Sequence, residues 1–415
     1  MIPKIKIFDN KFGNPNFSFS AILVMTGSIF EEKHESGISH FIEHLLFKGS
    51  KYYQDMKNFT NKLNSQGMIT NAFTSNYITL YHIDSQTKDI SDAIDSLVQM
   101  VFNPLFREKD IDEERKVVIN ELLQRNSSPS QFNMEKVLEI IYKKDNPLHN
   151  QVIGDIPTLE KIDKDDILTY YHKYYQPKNM MFISITNKDK HNVKKLWTEA
   201  YQKYSNLSTN RNNDFPSTME IFKSITPKMA GINKPGFHNL HRYFPKNNTY
   251  FTTINFLFPR PSNKKVFELS VFSSYLAGSL SSKLFDELRT KKQLIYGISS
   301  GISLDNNYLI LTLAFNCKKN KKVLEECIKT IDQVIKESAK DGIPPEEFKK
   351  FHNKYLISME RDKSSSFDLM MSMIYEKLFN FPSMDTKLVK NITNSDLHST
   401  IRELFSKAKI YTVIV

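Results

Sequence analysis

Apolar residues recur along this chain at two periods, and the change from one to the other marks the elements. Ser18 to Met25 is an apolar run of strand length, and Ile69 to His82 reads as two strands around a turn. Helical spacing governs Gly37 to Phe47, Ile90 to Phe102, and the stretch from about Lys109 to Gln124. The same order then returns. Tyr250 to Phe258 predicts a strand, Val266 to Arg289 a helix, Tyr296 to Phe315 a strand pair around Asp305-Asn306-Asn307, and Lys321 to Glu337 a helix. A further helix opens at Pro344-Pro345-Glu346-Glu347, where proline presets the first turn and the acidic side chains suit its positive end.

Matching elements lie about 230 residues apart, so the chain reads as a duplicated α+β unit. From Ser205 to Gly236, Asn, Ser, Thr, Pro and Lys accumulate and periodicity stops, which predicts a linker over 206–236 between domains 1–205 and 237–415. Chemistry found in one half should therefore be sought in the other.

Composition narrows the class. With 415 residues, 40% hydrophobic and 25% charged, the chain is too long for one small domain and has the balance of a soluble protein. Its 30 Phe and 19 Tyr provide enough apolar area to exclude general disorder. Two cysteines, Cys317 and Cys327, exclude a disulfide framework and a cysteine-built zinc ribbon; a small apolar core role suits both. Met1 to Asn10 lacks the apolar core of a signal peptide, and no uncharged run is long enough to span a bilayer. A cytoplasmic protein with no membrane partner is expected. The net charge of +11 is lysine scattered through Asn-rich sequence, without the basic and aromatic stripe of a nucleic-acid groove, so no nucleic-acid partner is expected.

The sharpest chemistry is His40-Phe41-Ile42-Glu43-His44. On a helix, spacing of four stacks both imidazoles on one face, with the Glu43 carboxylate beside them. This H-x-x-E-H order is a zinc half-site with a built-in general base. Such a half-site needs a third protein ligand and one open position. Glu113, Glu114 and Glu121 lie on the predicted helix that follows. Glu114 and Glu121, two turns apart, share a face, so one can ligate while the other orients a histidine. Glu121 also sits within Val117-Val118-Ile119-Asn120-Glu121-Leu122-Leu123, where an unpaired carboxylate is costly. His34, His82, His149, His172, His191, His238, His241, His352 and His398 have no ligand spacing to the motif and are read as surface or structural.

Gly37 to Ser50, Gly-Ile-Ser-His-Phe-Ile-Glu-His-Leu-Leu-Phe-Lys-Gly-Ser, resembles the signature of the pitrilysin or insulinase zinc metallopeptidases, the inverzincins. In that family the third ligand is a glutamate about 76 residues beyond the second histidine; Glu121 follows His44 with 76 residues between, and Glu114 matches the family's further glutamate one heptad earlier. Asn71-Ala72-Phe73-Thr74 is similar to the edge strand on which these enzymes accept an extended peptide. Leu148 to Gly154 and Tyr174 to Met180 resemble later landmarks of the same half. Ser281 to Arg289 followed by Leu294-Ile295-Tyr296 looks like the family's arginine and tyrosine pair, which helps hold substrate and the developing oxyanion.

The resemblance implies a zinc-dependent endopeptidase. His40, His44 and Glu121 would hold one Zn2+ per chain, Glu43 would act as general base and Glu114 would support a histidine; Arg289 and Tyr296 would assist catalysis. It also implies two α/β-roll domains, each a mainly antiparallel sheet with helices packed on one face, forming half of a clamshell. Short two-domain chains of the processing-peptidase-like subfamily are typically dimers enclosing a chamber for peptides or unfolded segments. Zinc motif and Arg289/Tyr296 pair stand in one chain, which favours a homodimer over a heterodimer. The competing reading is a catalytically silent or heterodimeric subunit of a peptide-processing complex.

Overall fold

The computed structural model describes residues 2–10, 14–204, 217–240, 242, 244 and 248–415. The chain divides into two compact units, Met1–Gln124 with Lys144–Met229, and Arg125–Lys143 with Ala230–Val415. Among the described residues no helix is long and apolar enough to cross a membrane.

The first unit is built on strands β1 (Lys4–Phe8), β2 (Phe17–Val24), β3 (Ile69–Thr74), β4 (Thr79–Gln86) and β5 (Met180–Ile185), in the spatial order β1-β5-β2-β4-β3. Only the β1–β5 pair is parallel; the other pairings are antiparallel. Parallel neighbours need a long crossover, and nearly the whole unit lies between these two. From Ser18 to Val24 every residue of β2 is buried, so this central strand is covered on both faces. Among the unit's helices are α1 (Ile38–Leu46), α2 (Met56–Ser65), α3 (Ile90–Phe102) and α4 (Glu108–Ser127). The helix Lys190–Tyr204 follows β5 and lies on α3 and β1.

The second unit repeats the plan with β6 (Gly236–Asn239), β7 (Thr249–Pro259), β8 (Ile295–Leu304), β9 (Tyr308–Lys318) and β10 (Lys409–Ile414) in the order β6-β10-β7-β9-β8. Again the outer pair, β6–β10, is parallel, and the rest are antiparallel. Cys317 on β9 and Cys327 on the helix Lys321–Asp341 are both buried and free.

Three local expectations differ from the structure. The helix α5 (Pro129–Ile141) falls before the expected linker, yet it packs with the second unit. Its Asn133 amide donates to the Val413 carbonyl at 2.9 Å and accepts from Thr253 Oγ1 at 2.8 Å. Of the linker expected over 206–236, residues 206–216 lie outside the described ones. Beyond them Thr218–Ile225 is helical, started by a reciprocal cap between Ser217 and Glu220, and β6 begins at Gly236. The helix expected from Val266 to Arg289 stops at Ala277, because Gly278-Ser279-Leu280-Ser281-Ser282 offers the backbone turn bonds instead: Ser282 Oγ donates to the Ser279 carbonyl. Helical structure resumes at Lys283 and ends in a widened turn, in which Lys292 N–H donates to the Glu287 carbonyl five residues back.

Candidate metal centre

The helix α1 is fixed at its entry before any ligand is considered. Gly37 has φ +89°, and a Cβ there would meet the Ile153 carbonyl oxygen at 2.6 Å and Gly154 Cα at 2.9 Å, so glycine is required on both counts. No neighbouring side chain caps the helix. Glu31 does so from six residues upstream, accepting Gly37 N–H at 2.8 Å and Ser39 N–H at 3.0 Å on its two oxygens. Burial raises the Glu31 carboxyl to about 7, against the downward pull of those N–H donors. Tyr170 Oη joins Ser39 Oγ to Thr26 Oγ1, each at 2.8 Å, tying the first turn to the end of β2.

On the next turns His40 and His44 stand with ring centroids 4.6 Å apart. Glu121 arrives from α4: its Oε2 lies 3.5 Å from His44 Nε2 and 3.9 Å from His40 Nε2. The three donor atoms fall within 4.8 Å of one another, the one such convergence of His, Cys, Asp or Glu among the described residues. Donors around a tetrahedral zinc stand about 3.3 Å apart. Two imidazoles and a carboxylate at this spacing fit zinc in chemistry and in scale.

Glu114, two turns earlier on α4, takes the other side of His44. Its Oε1 lies 2.9 Å from His44 Nδ1, and its Oε2 3.2 Å from Lys48 Nζ. In the neutral ring, a proton kept at Nδ1 by Glu114 leaves Nε2 as the lone-pair nitrogen on the Glu121 side. Burial pushes the His44 imidazolium down, but Glu114, Glu121 and Glu43 outweigh it and carry its pKa up to about 9. Burial raises Glu114, and His44 with Lys48 more than reverse this, leaving it below the usual carboxylate range. Glu113 points elsewhere, half-exposed and 3.8 Å from both Lys48 and Lys109.

The apolar stretch around Glu121 is not uniformly buried. Val117 and Leu123 are about half exposed, while Val118 and Leu122 are buried. Helical period, and not local composition, turns Glu121 toward the histidines.

Glu43 is 8% exposed, and its Oε2 accepts from Thr74 Oγ1. Thr74 ends β3, the outer strand of its sheet, so the strand carrying Asn71, Ala72 and Phe73 runs up to the glutamate. Asn71 pairs with His82 and Ala72 with Tyr81 on β4, and among the described residues no strand pairs with the opposite side of β3. In the second unit Arg289 lies over the Tyr296 ring at 4.4 Å and donates to the Tyr296 carbonyl; the Tyr296 side chain is 77% exposed. Two further residues, Glu31 and Lys48, shape the site without belonging to the H-x-x-E-H motif. Lys48 lies four residues past His44, which a helical wheel places on the same face; Glu31 carries no such signal.

Two histidines one turn apart and a distant glutamate, with a further glutamate between the histidines, have the spacing of the inverted H-x-x-E-H motif, on a duplicated sheet-and-helix frame. Comparison with known proteins agrees. Residues 13–156 match the model of the insulinase (M16) peptidase family, and residues 161–355 match the model described as the M16 peptidase inactive domain. The chain belongs to the M16 peptidase family. It is 26% identical over 403 residues to YmxG of Bacillus subtilis, named an uncharacterized zinc protease, covering 95% of this chain and 88% of that one. A zinc protease of Rickettsia felis, likewise named uncharacterized, is 22% identical over 397 residues, with 95% and 91% covered. Among solved structures, a protease from Helicobacter pylori superposes with a TM-score of 0.84 at 22% identity, over 99% of this chain and 95% of that one, which shows a shared fold.

Proposed function

We propose that the chain is a zinc-dependent endopeptidase that cleaves peptides or unfolded segments inside a chamber closed by a second copy of itself. The observation that carries this reading is the convergence of His40, His44 and Glu121 beside a buried Glu43 at the end of an open sheet edge. The names of the relatives support zinc as the metal. Zinc bound there would supply Lewis acidity, polarising the scissile carbonyl and making water acidic enough to attack near neutral pH.

The chain's own residues do the rest. Glu43 takes a proton from the attacking water and returns it to the leaving amine nitrogen, while Thr74 holds the carboxylate in one orientation. Glu114 keeps the His44 ring turned so that Nε2 lies on the Glu121 side, where it would be available to an ion. Backbone groups of Asn71 to Thr74 add the substrate as a further strand, which suits broad sequence tolerance. Arg289 and Tyr296 hold substrate and the oxyanion of the tetrahedral species, for which an exposed phenol with a cation stacked on it is suited.

The test is a quenched-peptide cleavage assay on the purified chain, with and without chelator. Chelation should abolish cleavage and added zinc restore it. Glu43→Gln should lower turnover by ~10²–10⁴-fold while elemental analysis still finds about one zinc per chain; full turnover in that variant removes Glu43 from the mechanism. No cleavage by the zinc-loaded chain alone would favour a silent or heterodimeric subunit. Light scattering should give the mass of two chains.

A further inference from the structure

The two units differ at a second place, remote in sequence from the metal ligands. In the first unit, the helix Lys190–Tyr204 buries Val193, Trp197, Ala200, Tyr201 and Tyr204, the apolar stripe of an amphipathic helix. Trp197 stacks on Phe182 of β5 with centroids 4.4 Å apart, and its indole N–H donates to Ser184 Oγ at 2.9 Å. Tyr201 packs edge-on against Phe102 of α3 at 5.3 Å. This stripe closes the helical layer over the β1–β5 pair.

In the second unit the corresponding layer is formed by the helix Lys321–Asp341, which follows β9 as α3 follows β4, and by Asn394–Phe405, which precedes β10. Among the described residues, the short segment Lys283–Lys291 also packs on Lys321–Asp341, but no further helix packs closely on that helix and β6 together. A groove of about 1160 Å³ lies there. Its walls are Phe237 of β6, Ile254 of β7, Leu324, Ile331 and Ile335 of the long helix, and Ile410 of β10. Phe237 is 70% exposed and Ile410 42%. On β10, Ile410 and Thr412 face this groove, whereas on β5 Phe182 and Ser184 face Trp197.

The rim is basic. Lys321 pairs with Glu325 and Lys336 with Asp332, whereas exposed Lys340 and Arg402 make no ion pair among the described residues and Lys329 feels Glu326 only beyond ion-pair distance. We propose that this groove is the docking site for an amphipathic helix of a partner protein, with an apolar stripe of the Lys190–Tyr204 kind and acidic flanks. The first unit supplies the template, since a helix already fills the equivalent place there. The volume exceeds the ~300–1,000 Å³ of small-molecule pockets, and helix-in-groove binding uses anchors at this spacing. The unpaired cations select acidic flanks. Lys190–Tyr204 itself carries exposed Lys190, Lys194, Lys195 and Lys203 against Glu199, so its polar face has the wrong sign for this seat.

Two fluorescein-labelled peptides test this by anisotropy against the intact chain: residues 190–204 as they stand, and the same peptide with Lys190→Glu, Lys194→Glu, Lys195→Glu and Lys203→Glu. The acidic peptide should bind at least about tenfold more tightly. Phe237→Asp, at an exposed position, should weaken it by about tenfold or more, and Lys329→Glu with Arg402→Glu should reverse the preference between peptides. Circular dichroism confirms that the variants fold. Equal binding of both peptides, no binding up to about 1 mM, or indifference to both variants overturns the proposal. So does stoichiometric displacement of the peptide by oleate, which would assign the groove to a lipid, or a change in the chain's own oligomeric mass on Phe237→Asp, which would assign it to a second copy.

Discussion

Both units fold one sheet plan, a parallel outer pair and three antiparallel pairings, and carry a helix on each side of the β-hairpin, yet they use the helix contact differently. In the first unit α1 faces α4 through His40, His44, Glu114 and Glu121, with Glu43 beside them. In the second, Asn263–Ala277 packs on Pro345–Asp362 through rings, Tyr275 standing edge-on to a fully buried Phe351 at 5.7 Å. The buried acid of that helix, Glu268, is satisfied locally by Thr400 Oγ1 at 2.6 Å and Lys264 at 3.7 Å. The contact in the second unit is held mainly by packing, with a hydrogen bond between Tyr355 and Ser270 across it. The other concentrates three carboxylates around two imidazoles, with Lys48 on Glu114, an excess of negative charge that a divalent cation would offset. The frame tolerates either, which is why duplication leaves one copy free to carry chemistry.

The largest break in this contrast is His44→Ala. It removes a donor from a three-residue site, so zinc should fall from about one per chain to near zero, with all metal-dependent cleavage lost. Plasma emission analysis of dialysed protein reads this directly. Zinc retained at full stoichiometry would mean that the ion sits elsewhere. The fold should survive, because the His44 side chain is partly exposed and the α1 entry is held by Gly37 and Glu31.

The converse change belongs to the second unit. Phe351→Ala deletes a fully buried ring and should cost ~3–5 kcal/mol of stability by cavity formation. Denaturant unfolding measures this. Zinc content should not change; loss of zinc at unchanged stability would contradict the separation of roles. Glu114→Gln comes next, since it keeps shape but weakens the hold on His44 Nδ1, and zinc affinity should drop ~10–100-fold. Competition with a chromophoric chelator gives that ratio, and an unchanged affinity would reduce Glu114 to an ion-pair partner of Lys48.

Much of this contrast was legible in the sequence, for physical reasons. The i, i+4 and heptad spacings are properties of single helices, so His40, His44, Glu114 and Glu121 could be aligned before any tertiary contact was known. The helix Ile90–Phe102 and the strands β2, β3 and β4 follow from local period. What stayed hidden depends on distant partners. The strands β1 and β5 pair across most of the first unit, and Met180–Ile185 is a continuous apolar run that period alone does not separate from helix. The assignment of α5 to the second unit rests on Asn133 reaching carbonyls at Phe251 and Val413. Glu31 as a cap is equally non-standard, because capping rules look one residue before the helix and this carboxylate comes from a preceding turn.

The smallest effect, and the one that sharpens the electrostatic half of the comparison, is on pH. Without metal, the folded pKa of His44 is raised from 6.5 to about 9, so the protonated ring is bound more tightly in the folded chain than in the unfolded one. Its contribution to stability is therefore complete below 6.5 and is lost as pH climbs through 9. The metal-free chain should show a melting temperature that declines over this window, and His44→Ala should flatten the decline. Glu31, raised to about 7, contributes in the same direction at lower pH, between its ordinary value of 4.5 and 7, so its slope precedes that of His44 and separates from it. Zinc requires the neutral ring, and binding at pH 7.5 should expel close to one proton per ion from His44, read by calorimetry in buffers of different ionisation heat. A metal-free chain whose melting temperature is level from pH 6.5 to 9 would show that Glu114 and Glu121 do not hold the imidazolium, and the contrast between a charged and a packed helix contact would then rest on the ion alone.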